Sequence, residues 1–220
     1  MATPKRSDLT EDPVHEQLEY ALAWAMKNRN RLAVIATVLV AAVAISSFYL
    51  QMRSAREDDA STAFLQGLAE LNLGNAEESR AIFTKLGDDM SGTAASRDSE
   101  LYLANSLFWL GEHGAAKAAF ESYLGRAEDQ YLRLAAKEGL AACAEEQKDW
   151  RAAAEAYTTI SREHVDETSK VRNLMAAARC LATDGDMEGA RALYLQIEES
   201  HELASVDARV ARSLLGPASE

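Results

Sequence analysis

The chain has 220 residues, 48% of them apolar, and only three prolines, Pro4, Pro13 and Pro217, so proline breaks no helix between Val14 and Gly216. This alanine-rich, glycine-poor composition suits packed helices better than sheets, and the length suffices for one soluble domain plus an anchor. The net charge of −12 lies wholly in residues 51–220, which argues against nucleic acid as a partner, because phosphates call for a basic surface.

Residues 1–31 are neutral, with five Lys/Arg against five Asp/Glu. Asp12-Pro13 reads as a helix start, a capping side chain followed by proline at the first helical position. Val14, Leu18, Ala21, Leu22 and Ala25 then share one face. The segment is expected to form a short amphipathic helix that lies on a membrane or touches a partner, with Trp24 at the membrane surface.

Leu32 to Leu50 comes next as 19 uncharged residues, about 28 Å of helix at 1.5 Å per residue. Extended to Met52, that just crosses a hydrocarbon core of about 30 Å. A soluble core helix of this length would carry a polar face. A cleaved signal peptide would have a shorter apolar run and a small-residue site after it; here Ala42-Val43-Ala44 lies inside the run. Residues 32–52 therefore read as an uncleaved transmembrane helix through a lipid bilayer. Lys27, Arg29 and Arg31 precede it, whereas Arg53 and Arg56 come after it with Glu57, Asp58 and Asp59 close behind. The positive-inside rule then puts residues 1–31 in the cytoplasm and residues 53–220 outside it. With neither Gly nor Pro between Val14 and Gly67, one helix is expected to run unbroken through the span and beyond it.

The strongest signal is an internal repeat. Aromatic residues Phe83, Phe120, Tyr157 and Tyr194 stand 37 apart. So do Gly74, Gly111, Lys148 and Gly185 at a turn, and Ser79, Ala116, Ala153 and Ala190 four before each aromatic. Each unit reads as two helices joined by a tight turn. The first helices are expected over 60–73, 97–110, 134–147 and 171–184, and the second over 76–86, 113–125, 150–162 and 187–199. Glycine ends a first helix because it tolerates a left-handed backbone. A further stretch, Leu203 to Leu215, spaces Leu203, Val206, Val210 and Leu214 helically before Gly216-Pro217, and reads as the capping helix a solenoid needs.

With the early small residue at Gly67, Ala104, Ala141 and Ala178, the pattern resembles the tetratricopeptide repeat family, whose unit has about 34 residues. The period here is three longer. The family's early Trp is replaced by Ala63, Glu100, Lys137 and Leu174, and its closing proline is absent. With the span read above, the chain is expected to be all-α: a single transmembrane helix, then, as the resemblance implies, an α-solenoid of four tetratricopeptide-like helix pairs, closed by the C-terminal cap. The resemblance also implies a protein-binding groove lined by the first helices. That groove would comprise Phe64 and Leu68; Leu101, Asn105, Phe108 and Trp109; Glu138, Ala142, Glu145 and Glu146; and Arg172, Met175 and Arg179. It would turn from apolar to acidic to basic along its length. Phe108 and Trp109 are either anchors for a partner or packed against a neighbouring helix.

No phosphate loop, GxGxxG or GxSxG occurs, and His15, His113, His164 and His201 lie in separate segments without zinc-helix spacing. No catalytic residue, metal ligand, cofactor or small-molecule substrate is expected, and the chain does not read as an enzyme. Cys143 and Cys180 occupy equivalent sites in consecutive units. Stacked helices lie about 8–10 Å apart and a disulfide wants Cα atoms within about 7 Å, so two buried free thiols are expected in preference to a bridge, which an oxidising compartment would favour.

A short cytoplasmic helix, one span and an extracytoplasmic repeat domain resemble the ancillary-subunit family of the bacterial SecYEG translocon. That resemblance implies an inner-membrane protein with a periplasmic, chaperone-like domain. Its partners would be translocon subunits, secreted or unfolded clients and periplasmic chaperones. The alternative is an envelope scaffold that coordinates cell division or the assembly of outer membrane and cell wall.

Overall fold

The computed structural model describes the backbone of residues 13–199 and Ser213, and side chains from Gln17 to Glu198 and at Ser213. The described residues form nine helices and no strand: α1 Pro13–Lys27, α2 Arg29–Asn72, α3 Ala76–Asp89, α4 Ala94–Trp109, α5 His113–Leu124, α6 Gln130–Glu146, α7 Trp150–Glu163, α8 Glu167–Asp184 and α9 Met187–Glu199. The chain divides between Ala55 and Arg56 into two compact units. Asp12 and all of the expected capping helix but Ser213 lie outside the described residues.

The first unit holds α1 and the start of α2. The helix expected to be unbroken is interrupted at Asn28. Its side-chain amide donates to the Trp24 carbonyl at 2.9 Å, the local side-chain bonding by which Asn competes with a helix. Backbone bonds from Asn28 N to Trp24 O, 3.0 Å, and from Leu32 N to Asn28 O, 2.9 Å, still carry the chain through. α2 is long and apolar enough to cross a membrane, and none of its apolar window is buried within the fold.

The second unit is a solenoid. Each of α3 to α9 packs on the next, and α4 also touches α6. The end of α2 pairs with α3, α4 with α5, α6 with α7 and α8 with α9. The second helices start at Ala76, His113, Trp150 and Met187, in the 37-residue register. Every turn between paired helices has the same two backbone bonds. Gly111 N donates to Phe108 O at 3.0 Å and Glu112 N to Leu107 O at 3.0 Å; Lys148 N donates to Glu145 O at 2.9 Å and Asp149 N to Ala144 O at 3.0 Å. This closure needs a left-handed residue. Gly74, Gly111 and Gly185 supply it, and so does Lys148, with φ of 65°.

First helices α4, α6 and α8 begin three or four residues before the positions read from the repeat. The cause is capping. The side chains of Thr93, Asp129 and Asp166 accept from the backbone N–H of Ser96, Leu132 and Ser169, at 3.1, 2.9 and 2.7 Å. Inside, Phe83, Phe120, Tyr157 and Tyr194 are all at most 8% exposed. Their small partners Ser79, Ala116, Ala153 and Ala190 let the paired helices approach closely enough to bury them.

Candidate protein-binding groove

The first helices of the four pairs carry the residues expected to line a groove, and the structure sorts them into three kinds. Leu101 does not line it: at 1% exposure it sits in the core with Ala104, Phe120 and Tyr123. It is buried because α5 and α6 both pack against α4 there. Phe64 is half-buried, its ring 5.9 Å from Phe83 and 5.3 Å, edge-on, from Tyr102. Leu68 packs beside this aromatic cluster. Met175 leans on the Val171 and Tyr194 cluster, and Asn105 is half-buried.

Phe108 and Trp109 part company. Phe108 packs onto the second pair's core and meets the His113 ring edge-on at 5.2 Å. Trp109 stands against Phe108 at 6.0 Å, also edge-on, yet remains 72% exposed. A rigid indole held on one side and bare on the other is the kind of side chain that anchors a protein partner.

The charged residues behave differently from the expectation of an acidic stretch followed by a basic one. They pair. Glu138 on α6 accepts from Arg172 Nη2 on α8 at 2.8 Å, from Asn173 Nδ2 at 2.7 Å, and faces His164 Nε2 at 3.0 Å. Seven residues on, Glu145 accepts from Arg179 Nη2 at 2.8 Å and Nε at 3.2 Å, and from the Tyr157 hydroxyl at 3.3 Å. Opposite charges on adjacent helices attract in a partly desolvated setting, so the two stretches cancel. Glu146 stays largely exposed, 4.0 Å from His113 Nε2.

The pairing sets the protonation states. Burial pushes the Glu138 carboxyl up, but bonds from Asn173 and Arg172, the Arg172 charge and the His164 bond outweigh it, leaving Glu138 below its ordinary range. Burial alone would lower Arg179, yet its bonds to Glu145 raise it. Burial, then the Glu145 charge, raises the Tyr157 hydroxyl, which stays protonated to donate.

The sequence held a signal for these pairs. Glu138 to Arg172 and Glu145 to Arg179 are each separated by 34 residues, one period less about one helical turn. That spacing puts each Arg one turn earlier in the next unit, beside the preceding carboxylate. Tyr157, His164 and Asn173, which complete the two networks, come from α7, from its end and from α8, and no single-helix pattern exposes them.

Cys143 and Cys180 are free and buried. Burial, then the Glu145 charge, pushes the Cys180 thiol up to about 11, against a weaker pull from Arg179. Among the described residues no cluster of three His, Cys, Asp or Glu could hold a metal ion. A surface depression of about 510 Å³ lies over Arg151, Thr158 and Leu181, away from the groove residues.

A shallow, largely neutral face on stacked helix pairs, with one protruding indole, defines a repeat protein of the kind that binds other proteins. The profile of the tetratricopeptide repeat-like domain family matches residues 23–205, and the chain belongs to that family. No curated protein matches the chain. Among solved structures it is similar to a tetratricopeptide repeat protein from Parabacteroides merdae ATCC 43184, with a TM-score of 0.55 and 15% identity over 71% of this chain. The match spans 58% of that protein's length, and at this identity it speaks for the fold alone.

Proposed function

We propose that this chain is a membrane-anchored protein that binds extended or unfolded polypeptides through its first helices, as an ancillary subunit of a secretion channel would. The observation that carries the reading is Trp109, 72% exposed beside the packed Phe108 ring. The internal pairing of Glu138 with Arg172 and of Glu145 with Arg179 leaves the neighbouring face nearly neutral. Such a face favours apolar segments of varied sequence over one charged motif.

The anchor is the start of α2, whose apolar residues include Val38, Leu39, Val43 and Phe48, each at least 60% exposed. Exposed surface of this extent is stable in lipid and not in water. The excess of cations before the span favours an N-terminus in the cytoplasm and repeats in the periplasm. The role proposed is that of a binding protein, not an enzyme.

The test is photocrosslinking in native membranes from Trp109 and Trp24, with adducts identified by mass spectrometry. Channel subunits at either site, with varied secreted chains at Trp109, support the reading. One recurrent envelope partner without channel contact supports the scaffold alternative.

A further inference from the structure

The repeats make the first helix of each pair comparable with the next, and one face of α2 differs from its equivalents. In the second pair, Ser99, Tyr102, Leu103 and Ser106 on α4 turn toward the preceding pair. Ser106 Oγ lies 2.9 Å from Ser79 Oγ, and the Tyr102 ring is 5.9 Å from Phe83. In the third, Ala136, Gly139, Leu140 and Cys143 do the same, with Gly139 against the Phe120 ring. In the fourth, Ala177 and Cys180 are wholly buried against the preceding pair.

The equivalent residues on α2, 37 before those of α4, are Thr62, Leu65, Gln66 and Ala69. All four are exposed, Leu65 by 64%. Terminal repeats normally give this end a polar outer face; here Thr62 and Gln66 are polar but uncharged, and Leu65 and Ala69 are apolar. The ten residues from Ala60 to Ala69 carry no charge, in a chain of which 26% is charged. Beside them, sharing Gln66, is a depression of about 390 Å³ floored by Ala63, Ile82, Leu86 and Met90, with Lys85, Glu78 and Asp89 at its rim.

We infer that this face is a homodimer interface: it takes the same face of a second copy, so that each copy covers on the other the face that a preceding repeat would otherwise cover. Three features point to a second copy. Two chains of net charge −12 repel one another, but not through an uncharged face. Each copy offers both an exposed leucine and an adjoining apolar depression, the self-complementary arrangement that a two-fold contact requires. The rim also carries both signs of charge, so Lys85 of one copy meets an acidic rim residue of the other.

The experiment uses the full chain in its own membrane, with Leu65→Cys and, separately, Lys117→Cys on exposed α5 as the control. A mild oxidant should join Leu65→Cys chains into a dimer and leave the Lys117→Cys chains monomeric. In detergent, light scattering should give twice the chain mass for the native protein and half that value for Leu65→Glu, with unchanged helical circular dichroism. A monomeric native mass, equal crosslinking at both positions, or a Leu65→Cys adduct with a different protein would overturn the proposal.

Discussion

The Phe120 ring occupies the space that a side chain at Gly139 would need: a Cβ there would stand 2.5 Å from Phe120 Cε1. The aromatic of one repeat thus packs onto the bare backbone of the next repeat's first helix. Gly67 has the same relation to Phe83 within the first pair, at 2.6 Å from Cε1. Overfilling a packed site costs about 1–3 kcal/mol, and emptying it by Phe→Ala about 3–5 kcal/mol. Gly139→Ala should therefore lower the melting temperature by several degrees, and Phe120→Ala by more. Melting followed by circular dichroism checks both.

Lys148 is the one described non-glycine residue with a left-handed backbone, at φ of 65°, where the other three repeats place glycine. A side chain in that region costs about 1–2 kcal/mol, partly offset because glycine loses more freedom on folding. Lys148→Gly should stabilise the domain by up to about 1 kcal/mol, and Gly111→Ala should destabilise it by a similar amount. Urea unfolding of the two variants should move in opposite directions.

The period, the turn positions and the buried aromatics are all legible in the sequence, because each is a local requirement repeated four times. The starts of α4, α6 and α8 are not, since the caps Thr93, Asp129 and Asp166 vary in type and fall at spacings of 36 and 37. The groove is legible as a face but not as a surface. Leu101 has groove register but is buried where α4, α5 and α6 meet, and Arg172 and Arg179 look like free cations unless their carboxylates on α6 are in view. Burial and pairing between helices depend on neighbours that one helix's pattern does not contain.

Glu138 should make the joint between the third and fourth pairs sensitive to acid. Its carboxyl lies below the ordinary value of 4.5 in the folded chain, so its contribution is present above about pH 4.5 and is lost as pH falls through the folded value. Glu138→Gln should cost about 1–2 kcal/mol near pH 7, where bonds to a charged acceptor are lost. The difference from the native protein should shrink toward zero below that range. Denaturant midpoints taken across pH, for both proteins, would show it; Asp166, also lowered, through its bonds to Ser169, is common to both and cancels.

Cys143 and Cys180 should resist modification in the folded protein. Both are 0% exposed, and burial raises both thiols, Cys180 to about 11. The thiolate is the reactive form, so a membrane-impermeant maleimide should label neither until denaturant is added. Labelling of either in the native state would mean that the stacked pairs open.

Binding of polypeptide chains by the first helices, through Trp109 and not through the paired charges, is the central claim. It is tested most directly by the affinity of the full-length protein, in lipid nanodiscs, for a fluorescent, permanently unfolded secreted polypeptide. Trp109→Ala should weaken binding by about tenfold or more, the loss expected of a central aromatic anchor. Arg179→Ala should change it by less than about twofold. Equal affinities for the native protein and Trp109→Ala, or a larger loss for Arg179→Ala, would contradict the account.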